Sequence, residues 1–272
     1  MAGADEHDAE LRASQPAEYY DEYWSGATSW KPTDPLDEEL RAWLEELVRP
    51  GAKVVDVGCG DASRYGEELV RAGVKLHGID VSQVAADEAR ARGVMAVRGS
   101  LEDPLPFGDE EFDAAICLEV LEHLVDPEFA AREIHRVLRP GGCLLVSVPN
   151  VAHWRSRAEL LLRGHFDPKG SPMTGRRYPW RDPHLRFFSN RSLAAMLREV
   201  GFTVSTQGGL DNQFLNAAPL LRGLVRPPRM RPLDRVLRRL GGRYHRLLAG
   251  RCVALAVKPP NPEASPDVAA GI

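Results

Sequence analysis

Nowhere does the chain hold an apolar run approaching the roughly 20 residues that cross a bilayer, and no charged-then-apolar pattern opens it. Neither a membrane span nor a secretory leader is expected. Cysteine is scarce: Cys59, Cys117, Cys143 and Cys252 show no C-x-x-C spacing. All four lie in or beside apolar strand-like runs, where cysteine acts as a small hydrophobe. A reducing, cytoplasmic setting follows. Internal repeats are absent. The net charge of −4 singles out no partner, but charge is unevenly spread: acids dominate before Gly51, whereas residues 222–251 are almost wholly basic.

What remains is ordinary globular material, 43% hydrophobic and 27% charged over 272 residues. That length suits one large core with a cap, or two small domains. From residue 36 onward, strand-like runs alternate with helix-like ones. "LDEELRAWLEELV" spaces Leu36, Leu40, Trp43, Leu44 and Leu47 as on a helix face. "KVVDVG", "KLHGID", "VMAVRG", "FDAAICLEV" and "CLLVSVP" read as strands. Between them, "ASRYGEELVRAG", "SQVAADEARARG" and "DPEFAAREIHRVLRPGG" read as helices with glycine stops. Strands separated by helices imply a parallel sheet with right-handed crossovers. After Pro149 the rhythm breaks over 150–188, then returns with the helix "NRSLAAMLREVG", the strand "FTVSTQ" and the apolar run "CVALAV".

"VVDVGCGDASRYG" interrupts a buried strand with Asp56 and then two glycines. Gly58 and Gly60 let a ligand approach the backbone, and the next strand ends in Asp80, placed to accept bonds from ribose hydroxyls. A dinucleotide fingerprint requires a third glycine where Ser63 stands, and Asp56 and Asp61 would repel a pyrophosphate. A positively charged ligand with a ribose and no phosphate fits better, and S-adenosylmethionine is such a ligand.

Taken together, "VVDVGCG", "GIDVS", "GSLEDPLPF", "FDAAICLEVLEHL" and "VLRPGGCLLVSVPN" resemble successive motifs of the class I S-adenosylmethionine-dependent methyltransferases. The resemblance implies an α/β, Rossmann-like seven-stranded mostly parallel sheet with helices on both faces and a small substrate cap. Its last strand, antiparallel, would be "CVALAV". It implies that Asp56, Gly58 and Gly60 meet the methionine moiety and that Asp80 takes the ribose, with Val81 beside the adenine. Ser100 and Leu101 match the adenine-edge pair, and Cys117 and Leu118 the strand end near the amino-acid moiety. Serine stands at 100 where the family commonly has an acid, which substitutes a neutral hydrogen bond for a charge-assisted one.

"CLEVLEHL" holds Glu119, Glu122 and His123; on a helix, these i, i+3 and i+4 positions share a face. Either they begin a helix whose dipole favours the acids, or they hold a divalent ion, magnesium or zinc. The second reading rests on a resemblance to the E-x-x-E-H metal-dependent O-methyltransferases of quinones and small RNAs, in which a later histidine completes the site. His184 in "RDPHLRFFS" stands in a comparable place. "NVAHWRSRAELLLRGHF" resembles MetW-type proteins, where a methyltransferase fold partners an acyltransferase. Its His153 is a candidate general base or a packing residue, and His184 is the other catalytic candidate.

Tyr19, Tyr20, Tyr23, Trp24 and Trp30 crowd an otherwise polar arm, read either as a lid over the cofactor mouth or as a strap on the outside of the sheet. The basic 222–251 segment suits a docked amphipathic helix, a lipid surface or nucleic acid. The expected organisation is an arm over 1–35, a methyltransferase domain over 36–258 and a disordered tail over 259–272. Within the domain, a cap insertion spans 150–188 and a basic helical segment 219–250. The expected activity is methyl transfer to an oxygen or nitrogen of a small-molecule acceptor. The alternatives are an RNA 2′-O-methyltransferase and a non-catalytic, MetW-like partner of an acyltransferase.

Overall fold

The computed structural model describes residues 17–26, 44, 49–164, 183–208 and 250–260. The rest of the aromatic arm with Trp30, the expected helix over 36–48 (Leu44 apart), the middle of the cap, the basic segment up to 249 and the tail from 261 lie outside them. A helix α1, residues 17–26, comes first. It is followed by β1 (Lys53–Val57), α2 (Gly66–Arg71), β2 (Lys75–Asp80), α3 (Gln83–Ala91), β3 (Met95–Arg98) and β4 (Phe112–Leu118). A 3₁₀ turn (Leu121–His123) leads into α4 (Pro127–Val137), β5 (Leu138–Pro149), α5 (Trp154–Arg163), α6 (Asn190–Val200), β6 (Thr203–Gly208) and β7 (Arg251–Val257).

The seven strands run in the order β3-β2-β1-β4-β5-β7-β6. β1 to β5 pair in parallel, and β7 lies antiparallel between β5 and β6. Apolar alternation explains how both faces are covered. Val54 and Ile116 face a layer that includes Leu44, Leu69, Ala86 and Ala89, whereas Val55 and Cys117 face Ile134, Leu193 and Leu197. Local chemistry sets the helix ends. The Ser82 side chain caps α3, Asp126 caps α4 with Pro127 in its first turn, and a Ser189–Ser192 capping box opens α6.

Two boundaries depart from the pattern. α2 starts only at Gly66, because Ala62 takes a left-handed turn first. The sequence pattern carries the α4 helix through "LRPGG", yet the helix ends at Val137 and β5 begins at Leu138. Leu138 pairs with Phe112, and a register shift before the Ala114–Cys143 pair absorbs Pro140 and the two glycines as a bulge. The cysteines behave as expected: Cys59, Cys117 and Cys252 are buried, Cys143 is half-buried, and all are free thiols. No helix among the described residues is long and apolar enough to cross a membrane.

Candidate active site

Strand order reverses between β1 and β4, and the crevice at such a switch point opens at the strands' carboxyl ends. There the glycine loop is held by specific bonds. The Gly58 and Cys59 amides both donate to the Ile79 carbonyl, at 2.8 and 3.1 Å. The Gly60 amide donates to Asp80 Oδ2 at 2.9 Å, and the Ser82 amide to Asp80 Oδ1 at 3.0 Å. One carboxylate therefore ties the loop after β1 to the start of α3. Gly58 has φ +76°, and a Cβ there would overlap the Cγ2 methyl of Val120. Gly60 has φ +53°, and a Cβ there would stand 2.6 Å from Trp24 Cζ2. Neither position accepts a side chain without strain.

Beneath the loop, Asp56 is buried; its Oδ1 accepts a 3.0 Å bond from the Tyr65 hydroxyl. Its Oδ2 is buried and has no hydrogen-bond partner among the described residues. Burial, opposed by the Tyr65 bond and reinforced by the charge of Asp80, pushes the Asp56 carboxyl up to about 7. Burial also raises Asp80, against the bonds from Ser82 and Gly60. Two buried carboxyls, one with an unsatisfied oxygen, favour a cation and disfavour a pyrophosphate. The residues present thus fit the sulfonium and ammonium of S-adenosylmethionine.

A pH dependence follows from the sign of the Asp56 shift. The raised value means that the ligand-free fold prefers the neutral acid and becomes less stable as pH climbs from the ordinary carboxylate range to about 7. A cation bound beside it reverses that preference. Donor affinity should accordingly rise with pH up to about 7 and flatten above it, with up to one proton released per binding event below it. Titration calorimetry in buffers of different ionisation enthalpy reads this directly. Heats independent of buffer at about pH 6, or a dependence that persists in Asp56→Asn, would remove Asp56 from the donor site.

The other residues expected at the donor site fall around this loop. Val81 follows Asp80, and its carbonyl accepts from Arg98 Nε at 3.2 Å. The Gly99 amide donates to the Asp80 carbonyl at 2.9 Å, bringing Ser100 and buried Leu101 alongside the end of β2. Ser100 Oγ accepts from the Glu102 amide at 3.1 Å. Cys117 and Leu118, both buried, end β4.

Val120 touches Gly58, and the turn beyond it carries a second group. One ligand atom each of Glu122, His123 and His184 lie within 4.8 Å of one another. His123 Nδ1 sits 3.3 Å from the Pro183 carbonyl, which can only accept, so Nδ1 carries the proton and Nε2 offers its lone pair. Nε2 of His123 and Nε2 of His184 each lie 3.9 Å from Glu122 Oε1. The Leu185 and Arg186 amides both donate to the Glu122 carbonyl, at 2.8 and 2.9 Å, fixing the 183–188 strap against the turn.

Glu119 does not join them, contrary to the expectation that Glu119, Glu122 and His123 share a helix face. The helix there is a single 3₁₀ turn starting at Leu121, and Glu119 precedes it with φ +58°. Its carboxylate accepts from Ser147 Oγ at 2.7 Å and pairs with Arg251 Nε at 3.2 Å. His153 is not one of the three residues of this group. It is buried at the start of α5, with its ring 5.9 Å from that of Trp154.

Three contributions of α1 are not evident from the sequence pattern. Asp21 Oδ1 accepts from Ser82 Oγ at 2.5 Å and from the Val84 amide at 3.2 Å; the Trp24 indole lies on Gly60. Tyr20 meets the His123 ring edge-on at 6.2 Å. The one signal of this arrangement is the four-residue spacing of Tyr20 and Trp24, which marks one helix face.

Comparison with known proteins agrees with this fold. A family model described as "Methyltransferase domain" matches residues 34–207. The chain is 31% identical over 135 residues to a ubiquinone biosynthesis O-methyltransferase of Pseudomonas syringae pv. tomato, covering 47% of this chain and 58% of that one. It is 30% identical over 193 residues to the O-methyltransferase resE of Aspergillus sclerotiorum, covering 68% and 67%. Among solved structures, the [4+2]-cyclase SpnF superposes with a TM-score of 0.56 at 26% identity, covering 87% of this chain and 85% of that one. The protein belongs to the class I S-adenosylmethionine-dependent methyltransferases. It spans a little over half the length of the ubiquinone-pathway relative.

Proposed function

We propose that the protein moves the methyl group of S-adenosylmethionine to a hydroxyl oxygen of a small-molecule acceptor. The observation that carries this reading is the Glu122–His123–His184 group in the turn after Val120, because a hydroxyl acceptor needs a base there, whereas a neutral amine attacks through its own lone pair. The two O-methyltransferase relatives support the same acceptor atom. When bound, the donor supplies an electrophilic methyl on sulfur. Asp80 would hold its ribose, and Asp56 would balance its positive charge. A neutral alcohol is a poor nucleophile, so His184 or His123 takes the hydroxyl proton on Nε2 as the oxygen attacks. Glu122 then stabilises the imidazolium. Positioning and exclusion of water supply the rest.

A second reading is favoured by the convergence of three donor atoms on one point. Glu122, His123 and His184 would hold a magnesium or zinc ion, which supplies Lewis-acid polarisation of the acceptor hydroxyl. Ligand atoms about 2.1 Å from a shared ion stand closer together than these do, so the group would draw in by roughly an ångström.

Glu122→Gln and His184→Ala are each expected to lower kcat by about 100-fold or more, with S-adenosylhomocysteine affinity within about threefold of the parent. Chelation separates the readings. Retained activity assigns the proton to a histidine; activity lost and restored by added magnesium or zinc assigns it to an ion. Transfer of a labelled methyl to a catechol such as 3,4-dihydroxybenzoate tests the proposal itself. Label transfer is required, and donor binding alone is not enough, because SpnF, which shares the fold, is named as a cyclase. Donor binding without transfer to any hydroxyl acceptor would support the non-catalytic, acyltransferase-partner alternative.

A further inference from the structure

The helix α1 lies outside the 34–207 stretch matched by the family model, yet one of its faces lies against the donor loop. Tyr20, Asp21 and Trp24 belong to that face. Trp24 stands on Gly60, whose amide is bonded to Asp80. Asp21 bonds Ser82 Oγ and the Val84 amide at the start of α3, and the Ser82 amide donates to the other Asp80 oxygen. Both attachments therefore converge on the same carboxylate, from its two sides. Tyr20 reaches across to His123. The flanking face is different: Tyr19 is 48% and Tyr23 58% exposed, with their rings edge-on to Tyr20 and Trp24. Aromatic residues four apart point inward, while their neighbours point to solvent.

We propose that Trp24 is a donor-binding residue and Asp21 a positioning residue, with α1 forming the outer wall of the donor site. Trp24 supplies an apolar aromatic surface against the bound nucleoside, and Asp21 positions it by anchoring the helix to α3. A wall of this kind must part for the nucleoside to leave, so its attachments govern the dissociation rate. The inference rests on the reading of the crevice as an S-adenosylmethionine site.

The test uses the full chain with radiolabelled S-adenosylhomocysteine as probe, following its release into excess unlabelled ligand by rapid filtration. Trp24→Ala and Asp21→Ala should each speed dissociation by about tenfold or more. Trp24→Phe, which keeps an aromatic surface, should fall between, and Tyr19→Phe and Tyr23→Phe should match the parent. Melting of the ligand-free variants is measured alongside. A lowered Tm with an unchanged dissociation rate would make α1 a packing element and overturn the proposal. Parent protein that fails to bind the probe at all would sink the S-adenosylmethionine reading, and the inference with it. Parent binding with unaltered variants sinks the inference alone.

Discussion

Asp80→Ala is expected to weaken S-adenosylhomocysteine binding by about 100- to 1,000-fold, the largest loss from any single substitution in the crevice. The carboxylate has two duties in the proposed site. It accepts the Gly60 and Ser82 amides and so sets the path of the loop, and it would take the ribose hydroxyls of the bound donor. Hydrogen bonds to a charged group are worth roughly 1.5–3 kcal/mol each, and losing two at the lower end, about 3–4 kcal/mol, corresponds to this loss. Alanine also strands two partly buried amides that the carboxylate had satisfied. Asp80→Asn separates the duties: its carboxamide oxygen can keep one amide bond, but its NH₂ confronts the other donor. Calorimetry should therefore place asparagine nearer to alanine than to the parent. An alanine variant binding within about threefold of the parent would show that the nucleoside lies elsewhere.

Gly58→Ala should destabilise the fold by about 2–4 kcal/mol, through two separable causes. The residue sits at φ +76°, which a Cβ opposes, and that Cβ would overlap the Val120 methyl. Adding Val120→Ala removes the overlap but leaves the backbone conformation. In denaturant unfolding the double variant should be less destabilised than the sum of the two singles by about 1 kcal/mol or more. Strict additivity would mean that the loop shifts away from Val120 and that the tight approach of β1 to the 119–123 segment is not required.

Much of this architecture is legible in the amino-acid sequence. The central strands β1 and β4 announce themselves because both of their faces are buried, which leaves the runs Val54–Val55 and Ala114–Cys117 with no polar face to hide. Helix limits are legible where a cap marks them, as at Ser82 and Asp126, and are obscured at Leu138, where a bulge hides the pairing of β5 behind proline and glycine. Asp80 can be identified because a strand end and a glycine loop point at it from different parts of the chain. Glu119 cannot. Its spacing to Glu122 and His123 suggests a shared helix face, but the left-handed backbone and the distant Arg251 decide where its carboxylate goes. Nothing in local spacing reveals a counter-ion from another strand. The inward face of α1 is hidden for a related reason. Periodicity identifies a face and says nothing about what it will meet.

That Arg251–Glu119 pair also bears on how the molecule is born. β7 is wedged between β5 and β6, so the sheet stays split until almost the last described residues have emerged from the ribosome, and β6 has no neighbour to zip onto before then. The clamp on Glu119 arrives with the same strand. A nascent polypeptide can thus lay down its glycine loop early yet lack the brace at the tip of β4 until the closing strand slides home.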